Sequence, residues 1–283
     1  MSEHVIETRG LTVYYGRHRG ILNVDLNVEK GEVFGFLGPN GAGKTTTQRV
    51  LLDVIRPTSG QARIFGLDCR EQGVELRQRV GYLPGELALY KNMKANQFFK
   101  MYEYLRGPNG AKGYWQELAK RLDLDTSRKI GNFSRGNKQK VGIVAAFMNR
   151  PDLLILDEPT GGLDPLVQQT VLEMVREAKA DGRTIFFSSH ILSEVQAVCD
   201  RVGIIRDGQL VTTQRVEEMV AQRVSRINLT FADLPPADAF KFEGVTELSR
   251  SDRSVMLEVQ DNLPQVLAVA AENHIQDIET LNV

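Results

Sequence analysis

The sequence predicts an α/β fold: a mostly parallel core sheet, an N-terminal antiparallel β-subdomain, an inserted α-helical subdomain and a small C-terminal αβ appendage. Three observations predict it. Apolar strand-like runs alternate with helix-spaced runs on both sides of the middle of the chain, the order that builds a parallel sheet. A glycine-rich turn at 38–45 separates one such strand from one such helix. From about 95 to 149 the alternation stops, and aromatic residues repeat at helical spacing instead.

Each element follows in order. Residues 3–15 and 21–28 alternate as strands do (Leu11, Val13, Tyr15; Leu22, Val24, Leu26, Val28), with the polar loop 16–20 between them. The run 32–37 reads as a buried strand, and 44–55 as a helix stopped by Arg56-Pro57. Short strands are expected at 61–65 and 80–83. In the helical block, Phe98, Phe99, Tyr102 and Leu105 share a helical stripe, as do Trp115, Leu118 and Leu122, and core packing is the simplest reading of the aromatics. Strands at 153–156, 184–187 and 202–205 then alternate with helices at 166–179 and 191–198. The tail offers a helix at 216–223, strands at 226–231 and 254–259, a turn at 234–237, a helix near 265–272 and a last apolar alternation. The expected domains are 1–214, with its helical subdomain at about 86–150, and 215–283.

Composition excludes several classes. The 283 residues are 42% hydrophobic and 25% charged, as in ordinary globular proteins, and the net charge of −1 argues against binding nucleic acid through bulk positive charge. Cys69 and Cys199 have no CxxC spacing and read as reduced thiols; the four histidines make no metal-ligand pattern. The start of the chain carries no secretory signal, and the longest apolar run, 141–148, falls far short of the roughly 20 residues that span a bilayer.

The chemistry concentrates at strand ends. Gly38-Pro39-Asn40-Gly41-Ala42-Gly43-Lys44-Thr45, followed by Thr46, fits the phosphate-binding loop of a P-loop NTPase, after a strand and before a helix. Its glycines let backbone N–H groups converge on phosphate, Lys44 supplies charge to the β- and γ-phosphates, and the Thr45 hydroxyl suits Mg²⁺. The apolar strand 153–156 ends in Asp157, placed to hold Mg²⁺, and Glu158, placed to orient or activate the attacking water. His190 also follows a strand and is placed to contact the γ-phosphate.

On these motifs, residues 3–210 resemble the ATP-binding subunit of an ABC transporter. Phe133-Ser134-Arg135-Gly136-Asn137-Lys138-Gln139-Lys140 resembles the family signature, usually Leu-Ser-Gly-Gly-Gln, and Gly161-Gly162-Leu163-Asp164-Pro165 resembles its D-loop. His190 fits the switch histidine. Tyr15 fits the adenine-stacking aromatic, with Tyr14 as the competitor. The resemblance implies ATP with Mg²⁺, a head-to-tail pair of subunits (a homodimer first), and Ser134, Arg135, Gly136, Asn137 and Asp164 facing the partner's nucleotide. ATP closes such a dimer and hydrolysis opens it.

Two departures stand out. Gly85 occupies the position of the Q-loop glutamine, so that function is lost, moved to Glu86 or taken by water. Arg135 replaces the first signature glycine and either reaches phosphate across the dimer or points to solvent. The style of the motifs and the short tail resemble bacterial ABC-2-type or multidrug exporter ATPases. That implies a separately encoded permease, a place on the inner face of the cell membrane, and docking through the helical block and the loop 85–90, with Phe98 and Phe99 as candidate contacts only. Such proteins continue past a motif like 278–283 into a closing helix, so the chain is expected to be truncated. Two alternatives remain: a soluble ABC ATPase in assembly, repair or translation, and a weakly hydrolysing regulatory binder.

Overall fold

The computed structural model describes residues 4–106, 111–221, 225–260 and 262–281. The chain forms two compact units, Met1–Val216 and Glu217–Val283.

In the first unit, β1 (His4–Tyr15) and β2 (His18–Glu29) form an antiparallel hairpin, and β3 (Val33–Leu37) leads to α1 (Lys44–Leu51). Then come β4 (Ser59–Ile64), β5 (Leu67–Asp68), α2 (Gly73–Arg77) and β6 (Val80–Leu83). The helical block holds α3 (Ala95–Arg106), α4 (Tyr114–Arg121) and α5 (Arg135–Phe147). The alternation resumes with β7 (Leu153–Asp157), α6 (Pro165–Ala180), β8 (Thr184–Ser189), α7 (Leu192–Val198), β9 (Arg201–Arg206) and β10 (Gln209–Arg215).

Two sheets result. The antiparallel one runs β2-β1-β4-β5; the six-stranded one runs β10-β9-β3-β8-β7-β6, parallel except for the β9–β10 edge. Strands β7 and β8 are buried along their whole lengths, which explains their unbroken apolar runs. Phe34 and Phe186, paired across β3 and β8, stack at 5.9 Å. All the parallel strands end at one edge, so the chemistry-bearing turns after β3, β7 and β8 converge there.

Three local expectations change. The hairpin loop is only Gly16-Arg17, because Tyr15 already pairs with His18; Gly16 takes the left-handed turn at φ 61°. Helix α1 ends at Leu51 rather than at Ile55. Asp53 adopts φ 54°, Val54 N–H bonds Arg49 O at 2.8 Å and Asp53 N–H bonds Val50 O at 3.0 Å, a Schellman cap that stops the helix before the proline. Phe98 and Phe99 are buried: Phe99 packs on Trp115 at 5.4 Å, and Phe98 on Tyr102 at 4.6 Å. This bears out the core packing read from the helical stripe and removes only the candidate contact role of the pair, because helix α3 turns this face inward. The large hydrophobic side chains most exposed in the block are Tyr104 (86%), Leu105 (72%) and Tyr90 (59%).

The second unit is an antiparallel sheet in the order β12-β13-β11-β14, from β11 (Ser225–Phe231), β12 (Val245–Arg250), β13 (Ser254–Val259) and β14 (Ile275–Leu281). Helix α9 (Leu263–Glu272) covers the apolar face, where Leu229, Phe231, Val255 and Leu257 meet Val266 and Ala270. Helix α8 (Val216–Ala221) lies where 216–223 was expected, and the last two of those residues fall outside the described ones, as do 282–283 of the terminal motif. Among the described residues no helix is long and apolar enough to cross a membrane.

Candidate nucleotide site

The loop 38–43 joins β3 to α1 with Lys44 as the first helical residue. Glycine is required at 43: φ is 108°, and a Cβ there would stand 2.5 Å from Ile21 Cγ2. Lys44 is buried and folds back over the loop, its Nζ donating to Gly38 O at 2.7 Å and Pro39 O at 3.1 Å. Beside it opens a cleft of about 260 Å³ lined by Asn40, Gly41, Gly43, Lys44, Thr45, Thr46 and Glu158, and by Tyr15, Arg19 and Gly20 of the hairpin. Of the two adjacent tyrosines, Tyr15 lines this cleft, with its hydroxyl 3.3 Å from Thr46 Oγ1, while the Tyr14 N–H donates to Thr58 Oγ1.

Asp157 is pinned from two sides. Thr45 Oγ1 donates to its Oδ2 at 2.6 Å and Ser188 Oγ to its Oδ1 at 2.6 Å, with the carboxylate 1% exposed. A hydroxyl and a carboxylate side by side are the hard oxygen donors Mg²⁺ favours, so these residues fit that ion. Glu158 turns away from the strand at φ 49°, a conformation costly for a residue with a Cβ. The turn is held by its N–H to Ser188 O (3.2 Å) and by Gly161 N–H to Glu158 O (3.1 Å). The strained turn aims the side chain: Glu158 Oε1 lies 3.3 Å from Lys44 Nζ and 3.3 Å from His190 Nδ1. Lys44 and Thr45, Asp157 and Glu158, and His190 therefore meet from three segments far apart in sequence.

The signature residues form a second cluster. Ser134 caps α5, its Oγ accepting the Asn137 N–H at 3.2 Å, and no acid follows in the first turn. Asp164 caps α6 in the same way, accepting from Val167 N–H at 3.0 Å. The Arg135 side chain lies along Gly162: a Cβ on that glycine would meet Arg135 Nε, Cδ and Cγ at 3.4–3.6 Å. Gly136 packs on the Gly162 carbonyl, so the signature and the 161–165 loop touch within one subunit. None of Ser134, Arg135, Gly136, Asn137 and Asp164 lines the cleft beside Lys44.

Sequence reasoning named Gln139 within the signature without giving it a role, and missed Ser188. Gln139, 8% exposed, donates from Nε2 to Glu158 O and Pro159 O, each at 3.2 Å, linking helix α5 to the turn that carries Glu158. Ser188 anchors Asp157. Its only signal was a pair of serines closing an apolar strand. At Gly85 the backbone lies against Asp157, with a Cβ only 2.9 Å from Oδ2, and Glu86 is exposed. The Tyr82 phenol, one strand over, is pushed up to about 12 by burial, with the Asp157 charge adding to the effect.

The chain is similar to known proteins. The ABC transporter family profile matches residues 21–161. The bacitracin transport ATP-binding protein of Bacillus licheniformis is 38% identical over 240 residues, covering 84% of this chain and 76% of that one. A solved ATP-binding subunit of an ABC transporter superposes with a TM-score of 0.70 at 29% identity, covering 77% of this chain and 92% of its own. The fold is also that of a dimeric bacterial ABC transporter cassette, with a TM-score of 0.68 at 22% identity over 75% of this chain and 98% of that one. On these likenesses the chain belongs to the ABC transporter family as an ATP-binding, ATP-hydrolysing subunit.

Proposed function

We propose that residues 1–214 hydrolyse ATP to drive export through a separately encoded membrane permease, with 215–283 as an accessory domain. The observation that carries this reading is the position of Glu158 Oε1, 3.3 Å from both Lys44 and His190. A carboxylate held between a phosphate-binding lysine and a histidine sits where a γ-phosphate and its attacking water would be handled. Lys44 leaves the loop carbonyls for the β- and γ-phosphates, which frees Glu158 to orient water, and His190 contacts the γ-phosphate. Tyr15 stacks on adenine, and the N–H groups of 38–46 cradle the phosphates. Thr45 and Asp157 hold Mg²⁺, which when bound neutralises phosphate charge.

Ser134, Arg135, Gly136, Asn137 and Asp164 lie outside this cleft and serve the nucleotide of a second copy, for which the N-terminus of α5, with no acid in its first turn, suits an anion. Solved cassettes of this fold pair as dimers, which supports the arrangement. The likeness to a bacitracin transport ATP-binding protein supports a transport role, and a permease partner would place the chain on the inner face of the membrane. Steady-state ATPase of the purified chain tests the reading: Glu158→Gln is expected to abolish turnover, and equal rates for variant and parent would refute it. Recovery of a multispanning membrane protein with the chain from mild detergent extracts is expected; its reproducible absence would favour a soluble ABC ATPase.

A further inference from the structure

One buried carboxylate outside this scheme joins two of its loops. Glu194, in the first turn of α7, is 7% exposed. Its Oε1 accepts Thr160 Oγ1 at 2.6 Å and its Oε2 accepts Ser189 Oγ at 2.6 Å. Both hydroxyl residues are buried too, Thr160 at 3% and Ser189 at 1%. Thr160 opens the 161–165 loop, and its carbonyl also takes the Leu163 N–H at 3.2 Å and Gln168 Nε2 at 3.3 Å. Ser189 directly precedes His190; its Oγ accepts the Ile191 N–H at 2.9 Å, and its carbonyl accepts the Gly38 N–H at 3.2 Å.

The chemistry of the bridge is specific. Ser189 Oγ already accepts from Ile191, so its own hydrogen needs an acceptor, and Thr160 is likewise shown donating. A carboxylate is the side chain that offers two acceptors and no donor. Short charge-assisted bonds in a buried site resist stretching, so the 161–165 loop and the strand end carrying His190 move together or break the bridge. We propose that Glu194 is a positioning residue that couples the 161–165 loop to His190, so that engagement of the loop by a second subunit is transmitted to the histidine that stands beside Glu158. This rests on the assignment of Glu158 and His190 to hydrolysis.

The test is ATP turnover by the purified full chain in Glu194→Ala, Glu194→Gln, Thr160→Val and Ser189→Ala variants, with Glu158→Gln and His190→Ala alongside and a thermal melt of each. Glu194→Ala is expected to lower kcat by about tenfold, the scale of coupling within shared hydrogen-bond networks. KM for ATP stays unchanged. Glu194→Gln recovers part of the loss, because its oxygen can serve Ser189 while its amide meets the rotatable Thr160 hydroxyl. The kcat losses of Thr160→Val and Ser189→Ala are expected to be non-additive in the parent and additive in Glu194→Ala. Turnover at the parental rate in Glu194→Ala, or additive losses in the parent, overturns the proposal. If Glu194→Ala does not fold, the Thr160 and Ser189 double variant in the parent decides alone. Parental rates in Glu158→Gln and His190→Ala would sink the hydrolysis assignment and the coupling with it; loss there without loss in Glu194→Ala sinks the coupling only.

Discussion

A methyl group at position 85 would stand 2.9 Å from Asp157 Oδ2 and 3.3 Å from its Cγ, where ordinary contact begins at 3.4 Å. The carboxylate must then retreat by about half an ångström. It is poorly placed to do so, since Thr45 and Ser188 each hold one oxygen at 2.6 Å in a buried site. Losing one hydrogen bond to a charged group costs about 1.5–3 kcal/mol. At about 1.4 kcal/mol per factor of ten, Gly85→Ala should raise the Mg²⁺ concentration for half-maximal ATPase by roughly tenfold to a hundredfold. The assay is phosphate release at fixed ATP as Mg²⁺ is titrated, with a thermal melt showing that the fold persists. Gly85→Gln, which supplies the side chain the family usually carries here, should lose activity for the same reason. A parental Mg²⁺ titration in Gly85→Ala would refute the argument, as would a gain in turnover in Gly85→Gln.

Four further outcomes are expected. Phe99→Ala should cost about 3–5 kcal/mol in urea unfolding, because Phe99 is wholly buried against Phe98 and Trp115; a loss under about 1 kcal/mol would show that the block does not depend on it. Ser134→Ala should lose about 1 kcal/mol of helix capping but far more ATPase than that loss accounts for, and a parental rate would remove Ser134 from the composite site. Cys69 and Cys199 are buried, and burial raises both thiols, Cys69 to about 12, so neither should react with iodoacetamide at pH 8 until urea is added; rapid native labelling by mass spectrometry would contradict the packing. Tyr82 ionises near 10 when unfolded but holds its proton to about 12 when folded, so unfolding releases a proton between those pH values and stability falls as pH rises through them. Tyr82→Phe should flatten that alkaline decline, and unchanged steepness in a pH series of unfolding curves would count against the buried phenol.

Legibility in the sequence followed the range of the interaction. Lys44, Thr45, Asp157, Glu158 and His190 were readable because they lie at or just after the ends of parallel strands, Lys44 and Thr45 by way of the glycine-rich loop, and topology alone delivers those ends to one edge. Edge strand β12 was not, since its pattern is nearly all exposed and gives no period-two signal. Phe98 and Phe99 were recognised as a helical stripe, but a stripe does not say whether it faces a core or a partner.

The sequence by itself therefore determined the α/β order, the nucleotide-binding chemistry and the family, because local residue types at fixed spacing carry all three. Only the tertiary structure decided that Gly85 presses on Asp157, that Arg135 lies along Gly162, and that Glu194 joins Thr160 to Ser189. Those contacts depend on which backbone approaches which across helices and strands distant in sequence, and no spacing within the chain encodes that approach.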